Sequence, residues 1–339
     1  TWMLTGHYKF TPDEDQVRGY PNVESKLAAD FEKAHPGTKV QILYRDIAQG
    51  SMTVDALMAA GTPPDVWLDA ADYFDKYMNA NYALPMEKYM DVSIYRKDLL
   101  DRYTVGGHVY GLPESAVAGG FAINLDMLDS IGYKLPELAG WTTDEFLNLG
   151  AKLKAKGIPL TMIMGKGGMG TWNNVWLSAF GAEFFKNQDF SRVTINSPQA
   201  VAGLNYIKKL VDLGYAYPNP VEVNDDDGVE LFTTNKVFSC MMQNGHTDYW
   251  LPEQVKQGKI AKAPKITFVE VPHAPGRVHT PVYGYETVAI GHATKDEARN
   301  RLVAALMAVS AGKEIQFYNT TVNGGFSTIK GFNPAVGTA

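Results

Sequence analysis

The apolar positions of this chain switch repeatedly between short continuous runs and helical spacing. Thr1–Thr5 (TWMLT) reads as a strand. Between Val23 and His35, Leu27, Phe31 and Ala34 recur on one helical face, and Pro36-Gly37 stops the helix. Lys39–Tyr44 (KVQILY) is a second strand. Ser51–Ala60 sets Val54, Leu57 and Met58 on one helical face, and Val66–Leu68 is a third strand ending at Asp69. A further helix is expected over Tyr73–Ala80. Strand and helix in alternation predict an α/β fold, with parallel-rich sheets flanked by helices.

The stretch Val105–Leu128 interrupts this rhythm. Gly106-Gly107 is a turn between two short strands, and Pro113 pushes Leu112 toward extended backbone. A second strand-like run covers Phe121–Leu125. An extended passage of this kind reads as a crossing from one body to another. Beyond it, Thr142 and Glu145 form a capping box before the stripe Phe146, Leu149, Leu153. Pro159–Met164 is expected as a strand. Ser197-Pro198 opens a helix with the stripe Leu204, Ile207, Val211. Val237–Met242 is a buried strand, and Ile266–Val271 is placed as the return to the first body. Thr287–Ile290 then belongs to the first body, followed by a capping box at Thr294 and Glu297 and the stripe Leu302, Ala305, Leu306, Val309. Gly324-Gly325 before Phe326–Ile329 reads as a third passage.

A length of 339 residues exceeds what one core serves, so two lobes are expected. The expected division is 1–112 with 273–320, and 113–272 with 321–339. A net charge of -6 argues against a nucleic-acid or anionic-membrane surface. The single cysteine, Cys240, lies in the apolar run VFSCMM and reads as a buried thiol. The first residues carry no signal-peptide pattern, so no compartment is read from targeting sequence.

Candidate chemistry is sparse. Gly165, Gly167 and Gly170 (GKGGMG) satisfy G-x-G-x-x-G after an expected strand, but no apolar strand leads into Asp189, where the acidic residue of a dinucleotide site would stand. A nucleotide-dependent enzyme is therefore the most distant alternative. Asn224–Gly228 fails the calcium-loop pattern, because Val223 stands where an acidic residue is required. No histidine or cysteine spacing suits a metal, and no cofactor is expected. Residues after strand ends form the expected rim. His7 and Tyr8 follow the first strand, and Asp69 and Asp72 follow the third. Each of these aspartates can equally cap the next helix. Trp172, in a glycine-rich loop, is a stacking candidate, since sugar rings present apolar C–H faces to aromatic planes. Trp67 and Trp176 read as core.

In order along the chain, FEKAHPGTKVQI (Phe31–Ile42), AAGTPPDVWLD (Ala59–Asp69), NYALPMEKYM (Asn81–Met90), GGHVYGLPES (Gly106–Ser115) and FAINLDMLDSIGYKLP (Phe121–Pro136) resemble the extracellular solute-binding protein family (type 1). GWTTDEF, INSPQAVAGLNYIKKLVDLGY, LFTTNKVFSCMMQNG and YGYETVAIGHATKDEARNRLVAALMA continue the resemblance to Ala308. It implies a two-lobed, hinge-linked binding protein like the maltose-binding proteins. Such a protein is the non-enzymatic sugar receptor of a bacterial ABC importer, closing on a mono- or oligosaccharide between its lobes. The implied ligand residues are His7, Tyr8, Asp69, Asp72, Glu114, His246, Thr247, Asp248, Tyr285 and Glu286. The implied partners are the sugar and the membrane permease subunits, and the protein is expected as a monomer, periplasmic or extracellular, with a lipoprotein anchor compatible. A polyol phosphate or peptide-like solute on the same fold is the nearer alternative. Two departures stand out. Tyr285 replaces a common glycine, and relatives continue with further second-lobe helices where this sequence stops at Ala339.

Overall fold

A computed structural model describes residues 1–6, 23–46, 51–70, 74–79, 81–135, 140–166, 170–185, 192–242, 251–278, 280, 284–323 and 325–332. In chain order the elements are β1 (Trp2–Gly6), α1 (Val23–Ala34), β2 (Ile42–Asp46), α2 (Met52–Ala59), β3 (Val66–Ala70), α3 (Phe74–Asn79), α4 (Lys97–Leu100), β4 (Thr104–Val105), β5 (His108–Val109), β6 (Gly111–Ala118) and β7 (Gly120–Asn124). They continue with α5 (Leu125–Ser130), α6 (Thr143–Lys154), α7 (Gly170–Ala179), α8 (Pro198–Asp212), α9 (Asp225–Thr233), β8 (Ser239–Met242), α10 (Leu251–Lys256), β9 (Ile266–Val269), β10 (Gly284–Gly291), α11 (Glu297–Ser310) and α12 (Lys313–Asn323). Two compact units result: Thr1–Val117 with Tyr285–Ala339, and Ala118–Gly284.

The first unit is built on one sheet, ordered β2-β1-β3-β10-β6. β1 runs parallel to β2 and β3, and β10 runs antiparallel to β3. Side chains alternate across a strand, so neighbours along one strand serve two different cores. Trp2, Leu4, Val66 and Ala289 pack with Phe31, Val303 and Met307 on one side. Met3, Trp67, Val288 and Ile290 pack with Val54, Met58, Phe74 and Tyr77 on the other. Burial on both faces explains why these strands read as continuous apolar runs. The Gly106-Gly107 turn between β4 and β5 holds both glycines at positive φ, 59° and 82°, which favours glycine.

The second unit centres on β7, antiparallel to β8 and β9 on either side. Its core is an aromatic cluster, in which Phe121, Trp141, Phe146, Trp176 and Phe238 are each at most 2% exposed. The capping box at Thr142 and Glu145 forms with both of its hydrogen bonds, and the stripe Phe146, Leu149, Leu153 is buried.

Several expectations are corrected. The second strand lies at Ile42–Asp46 rather than Lys39–Tyr44. Pro159–Met164 is not a strand; it is buried but pairs only through a bridge at Thr161 to Ala216. In α8, Leu204 and Val211 are 56% and 39% exposed, while Ala200, Gly203, Tyr206 and Leu210 face inward. Close helix approach decides this face, because a Cβ on Gly203 would stand 2.6 Å from the Leu177 Cα on α7. The cap before α11 is Asp296, whose carboxylate accepts from the amides of Ala298 and Arg299, and not Thr294.

The unit boundaries also differ from those expected. β9 pairs with β7 within the second unit, so the chain re-enters the first unit at Tyr285. The passage near Phe326 stays in the first unit. There the Phe326 amide donates to Ala116 O at 2.7 Å and the Arg96 amide to Thr328 O at 2.7 Å. The reason is Gln316, which is 1% exposed. Its Oε1 accepts from Ser327 Oγ and the Thr328 amide at 2.7 and 2.8 Å, and its Nε2 donates to Thr328 Oγ1 at 2.5 Å. Thr328 Oγ1 in turn donates to Pro113 O at 2.6 Å.

Candidate functional site

The sheet of the first unit brings several strand ends to one edge. Gly6 pairs with Asp46, so β1 and β2 finish together, and Ala70 at the end of β3 pairs with Thr287 near the start of β10. Ligand-handling residues of α/β sheets gather outside such carboxyl ends. The connections that leave this edge carry the expected residues His7 and Tyr8 after β1, and Asp72 after β3. These three lie outside the described residues, as do His246, Thr247 and Asp248.

Three other expected carboxylates are described, and all are buried on the sheet: Asp69 at 1% exposure, Glu114 at 4% and Glu286 at 8%. Burying a carboxylate demands compensating partners, and each has them. Asp69 Oδ1 accepts from Arg45 Nη2 at 2.8 Å and from the Ala70 amide at 3.0 Å, while its Oδ2 accepts from the Tyr77 hydroxyl at 2.9 Å. Burial, reinforced by the Asp69 charge, pushes the Tyr77 phenol far above its ordinary value, so it remains a donor. Glu286 accepts from Arg102 Nη1 at 2.8 Å and from the Tyr103 hydroxyl at 2.9 Å. The Thr287 hydroxyl donates to Glu114, and Ser115 Oγ lies 2.7 Å from Thr287 Oγ1. Asp69 therefore sits inside β3 as an ion-pair partner and does not cap α3.

In the second unit, Trp172 lies in the first turns of α7. Beside it, Asn173 Oδ1 accepts from the Met164 amide at 3.2 Å and its Nδ2 donates to Met164 O at 2.6 Å. Tyr285 belongs to β10. The side chains of Trp172 and Tyr285 lie outside the described set. In the glycine motif, Gly167 is likewise outside it. The Gly165 amide donates to Pro220 O at 2.8 Å and the Lys166 amide to Val223 O at 3.1 Å. Amides committed in this way cannot cradle a pyrophosphate, which weighs against the nucleotide reading. Among the described residues no cluster of histidine, cysteine and carboxylates suits a metal ion. No described helix is long and apolar enough to cross a membrane.

Sequence reasoning missed Arg45, Tyr77, Arg102, Tyr103 and Thr287, which donate to these carboxylates, and Ser115, whose hydroxyl meets that of Thr287. One signal was available: Asp69 continues the apolar strand VWL, and a charge in such a run needs an opposite charge nearby.

Residues 18–316 match the model of the family described as bacterial extracellular solute-binding protein. A curated relative, the lactose-binding protein of Rhizobium radiobacter, is 25% identical over 225 residues, 65% of this chain and 52% of that protein. The chain thus spans about half the length of that curated relative. Among solved structures, a chitin oligosaccharide binding protein superposes with a TM-score of 0.80 at 21% identity, covering 100% of this chain and 84% of that one. Maltose-bound MalE3 of T. maritima gives 0.75 at 19% identity, over 97% and 82%. These likenesses show the two-lobed α/β fold of binding proteins.

Proposed function

The chain belongs to the bacterial extracellular solute-binding protein family, and from that premise we propose that it captures a carbohydrate for an ABC importer. It does so without chemical turnover. The observation that carries the sugar reading is the match to a lactose-binding protein over 225 residues. The residue types that follow the strand ends of the first unit, His7, Tyr8 and Asp72, suit it, since neutral hydroxyls are recognised by hydrogen-bonding groups beside aromatic rings. The protein works as a monomer in the periplasm or at the cell surface, delivers its solute to membrane permease subunits, and takes up its ligand with hinge closure.

A thermal-shift panel of lactose, maltose, chitotriose, mannitol, glycerol 3-phosphate, a tripeptide, NAD and ATP tests this. A ligand that binds only the native state at a hundred times its Kd adds about 2.7 kcal/mol, enough to raise the melting temperature visibly. At least one saccharide should raise it and be recovered unchanged, with a smaller radius of gyration by small-angle scattering at saturation. A response to NAD or ATP alone would overturn the proposal.

A further inference from the structure

The strand-end edge of the first unit also carries an aromatic ring outside the set expected from sequence. Phe326 is 53% exposed, more than any other described phenylalanine, tyrosine or tryptophan. A single apolar side chain at a surface is ordinary and has no meaning by itself. Phe326 differs in its place and in the way its backbone is held.

Its place follows from the sheet. β6 is an outer strand of the five, next to β10. The Phe326 amide donates to Ala116 O at 2.7 Å, making an antiparallel bridge near the carboxyl end of β6. Ser115, beside Ala116, sets its Oγ 2.7 Å from Thr287 Oγ1, and Thr287 pairs with Ala70, the last residue of β3. Phe326 therefore extends the sheet by one bridge, level with the strand ends where ligand-handling residues of such sheets gather.

The segment around the ring is fixed from within. Gln316 Oε1 accepts from Ser327 Oγ at 2.7 Å, from the Thr328 amide at 2.8 Å and from the Ile329 amide at 3.3 Å. Gly325, Ser327, Thr328 and Ile329 are all buried, so between 325 and 329 only the phenyl ring faces water. Leaving that ring exposed forgoes the stabilisation its burial would bring. A flat ring on an anchored backbone loses little freedom when a ligand covers it. A pyranose suits such a surface, because one face of its ring is apolar C–H while its hydroxyls point outward to polar partners. An open-chain polyol holds no continuous face of that kind.

We infer that Phe326 is a stacking platform for the solute and biases the site toward pyranose rings over open-chain polyols. The inference deepens the saccharide reading and rests on it.

Wild type, Phe326→Ala, Phe326→Leu and Phe326→Trp are titrated by calorimetry with lactose, maltose, chitotriose, mannitol and glycerol 3-phosphate. An exposed side chain adds little to folding, so the ligand-free melting temperatures should agree within about 2 °C. Wild type should hold its best saccharide more tightly than mannitol. Affinity for that saccharide should fall at least about tenfold in Phe326→Ala and Phe326→Leu, and stay within about threefold in Phe326→Trp. Leucine keeps apolar bulk without a flat face, which separates stacking from simple burial. Wild-type affinity in Phe326→Ala overturns the inference and leaves the saccharide reading standing. Wild-type affinity in Phe326→Leu overturns stacking. Loss of binding in all three variants, with melting temperatures lowered together, makes Phe326 a structural residue and overturns the inference as well. A wild type that takes none of the three saccharides removes the saccharide reading and the inference with it, whatever it does with mannitol or glycerol 3-phosphate.

Discussion

The two units stabilise their interiors by different means. Among the described residues, the buried charged side chains are Arg45, Asp69, Glu114 and Glu286, and all four belong to the sheet of the first unit. The polar groups buried in the second unit are neutral, such as Asn124, Thr143, Ser178 and Ser239. Its core is instead held by aromatic contacts, with Trp176 stacked on Phe146 at 5.9 Å and edge-on to Phe121 at 5.8 Å. Apolar packing is non-directional and tolerant of small shifts, whereas a buried ion pair fixes a geometry and gains little net stability. The ion pair on the first unit's sheet is therefore expected to fix a geometry more than to add net stability.

The largest expected effects come from breaking each kind of interior at its centre. Arg45→Met or Asp69→Leu alone leaves an uncompensated buried charge and should cost about 3–5 kcal/mol. The double variant should recover much of that loss, because replacing both partners with apolar groups of similar size is often neutral. Phe146→Ala should cost a similar amount, about 3–5 kcal/mol, through lost burial and a cavity, with no second substitution to restore it. Urea unfolding of all four variants, read as a double-mutant cycle for the pair, checks this. A double variant as unstable as the worse single one would erase the contrast between the units.

At the next scale down, single hydroxyls should matter more in the first unit. Thr287→Val removes a donor to the buried Glu114 carboxylate and the contact with Ser115, and should cost about 1–3 kcal/mol. Ser239→Ala, which loses a bond to Leu160 O at 2.7 Å in the second unit, should cost about 1 kcal/mol. Equal losses, or a larger one at Ser239, would show that charge at the acceptor makes no difference here.

What the sequence made legible follows the same division. Periodicity and turn chemistry are local, so β1, α1, α2, β3 and the Thr142 cap could be read directly, as could the core placement of Trp67 and Trp176. The inward face of α8 could not, because it is set by where Gly203 lets α7 approach, and not by which residues are most apolar. The unit boundary near Phe326 depends on Gln316 gathering backbone groups of Pro113, Ala311 and Thr328, which no local pattern announces. At the candidate site, Asp69, Glu114 and Glu286 were singled out by position, but their partners are 24, 173 and 184 residues away in sequence. Pairing at that range is a property of the sheet order, and it gives each of these buried carboxylates its partners.

A smaller effect is expected at the Thr142 cap in the second unit. Its hydroxyl accepts from the Glu145 amide at 3.2 Å, and the Glu145 carboxylate accepts from the Thr142 amide at 2.8 Å. The Thr142 amide and hydroxyl together hold the Glu145 carboxyl below its ordinary value. Thr142→Ala should cost about 1 kcal/mol, visible as a lower urea midpoint with an unchanged slope. A changed slope would mean that the cap governs more of the second unit than the first turn of α6.

The smallest effect asks whether the polar interior of the first unit reaches the far edge of its sheet, where β10 ends. His292 follows that strand. Its amide donates to Asp65 O at 2.8 Å, and its ring lies 6.0 Å from that of Tyr82. Its Nδ1 is buried without a hydrogen-bond partner among the described residues. Burial pushes the imidazole below its ordinary value of 6.5, and the Arg299 charge pushes the same way, against the opposing pull of the Tyr82 backbone and Asp65. Below that ordinary value the unfolded chain binds a proton that the folded one resists. His292 thus contributes its full stability above about pH 6.5 and loses it as pH falls through the depressed folded value. His292→Phe removes the proton site and keeps a ring. The melting temperature of wild type minus that of the variant, followed at pH 7.5, 6.5, 5.5 and 5, should therefore fall toward the acid end, since every carboxylate titration is common to both. A constant difference would mean that the imidazole titrates alike in the folded and unfolded chain, and a difference that rises in acid would mean that its charged form is the one the fold prefers.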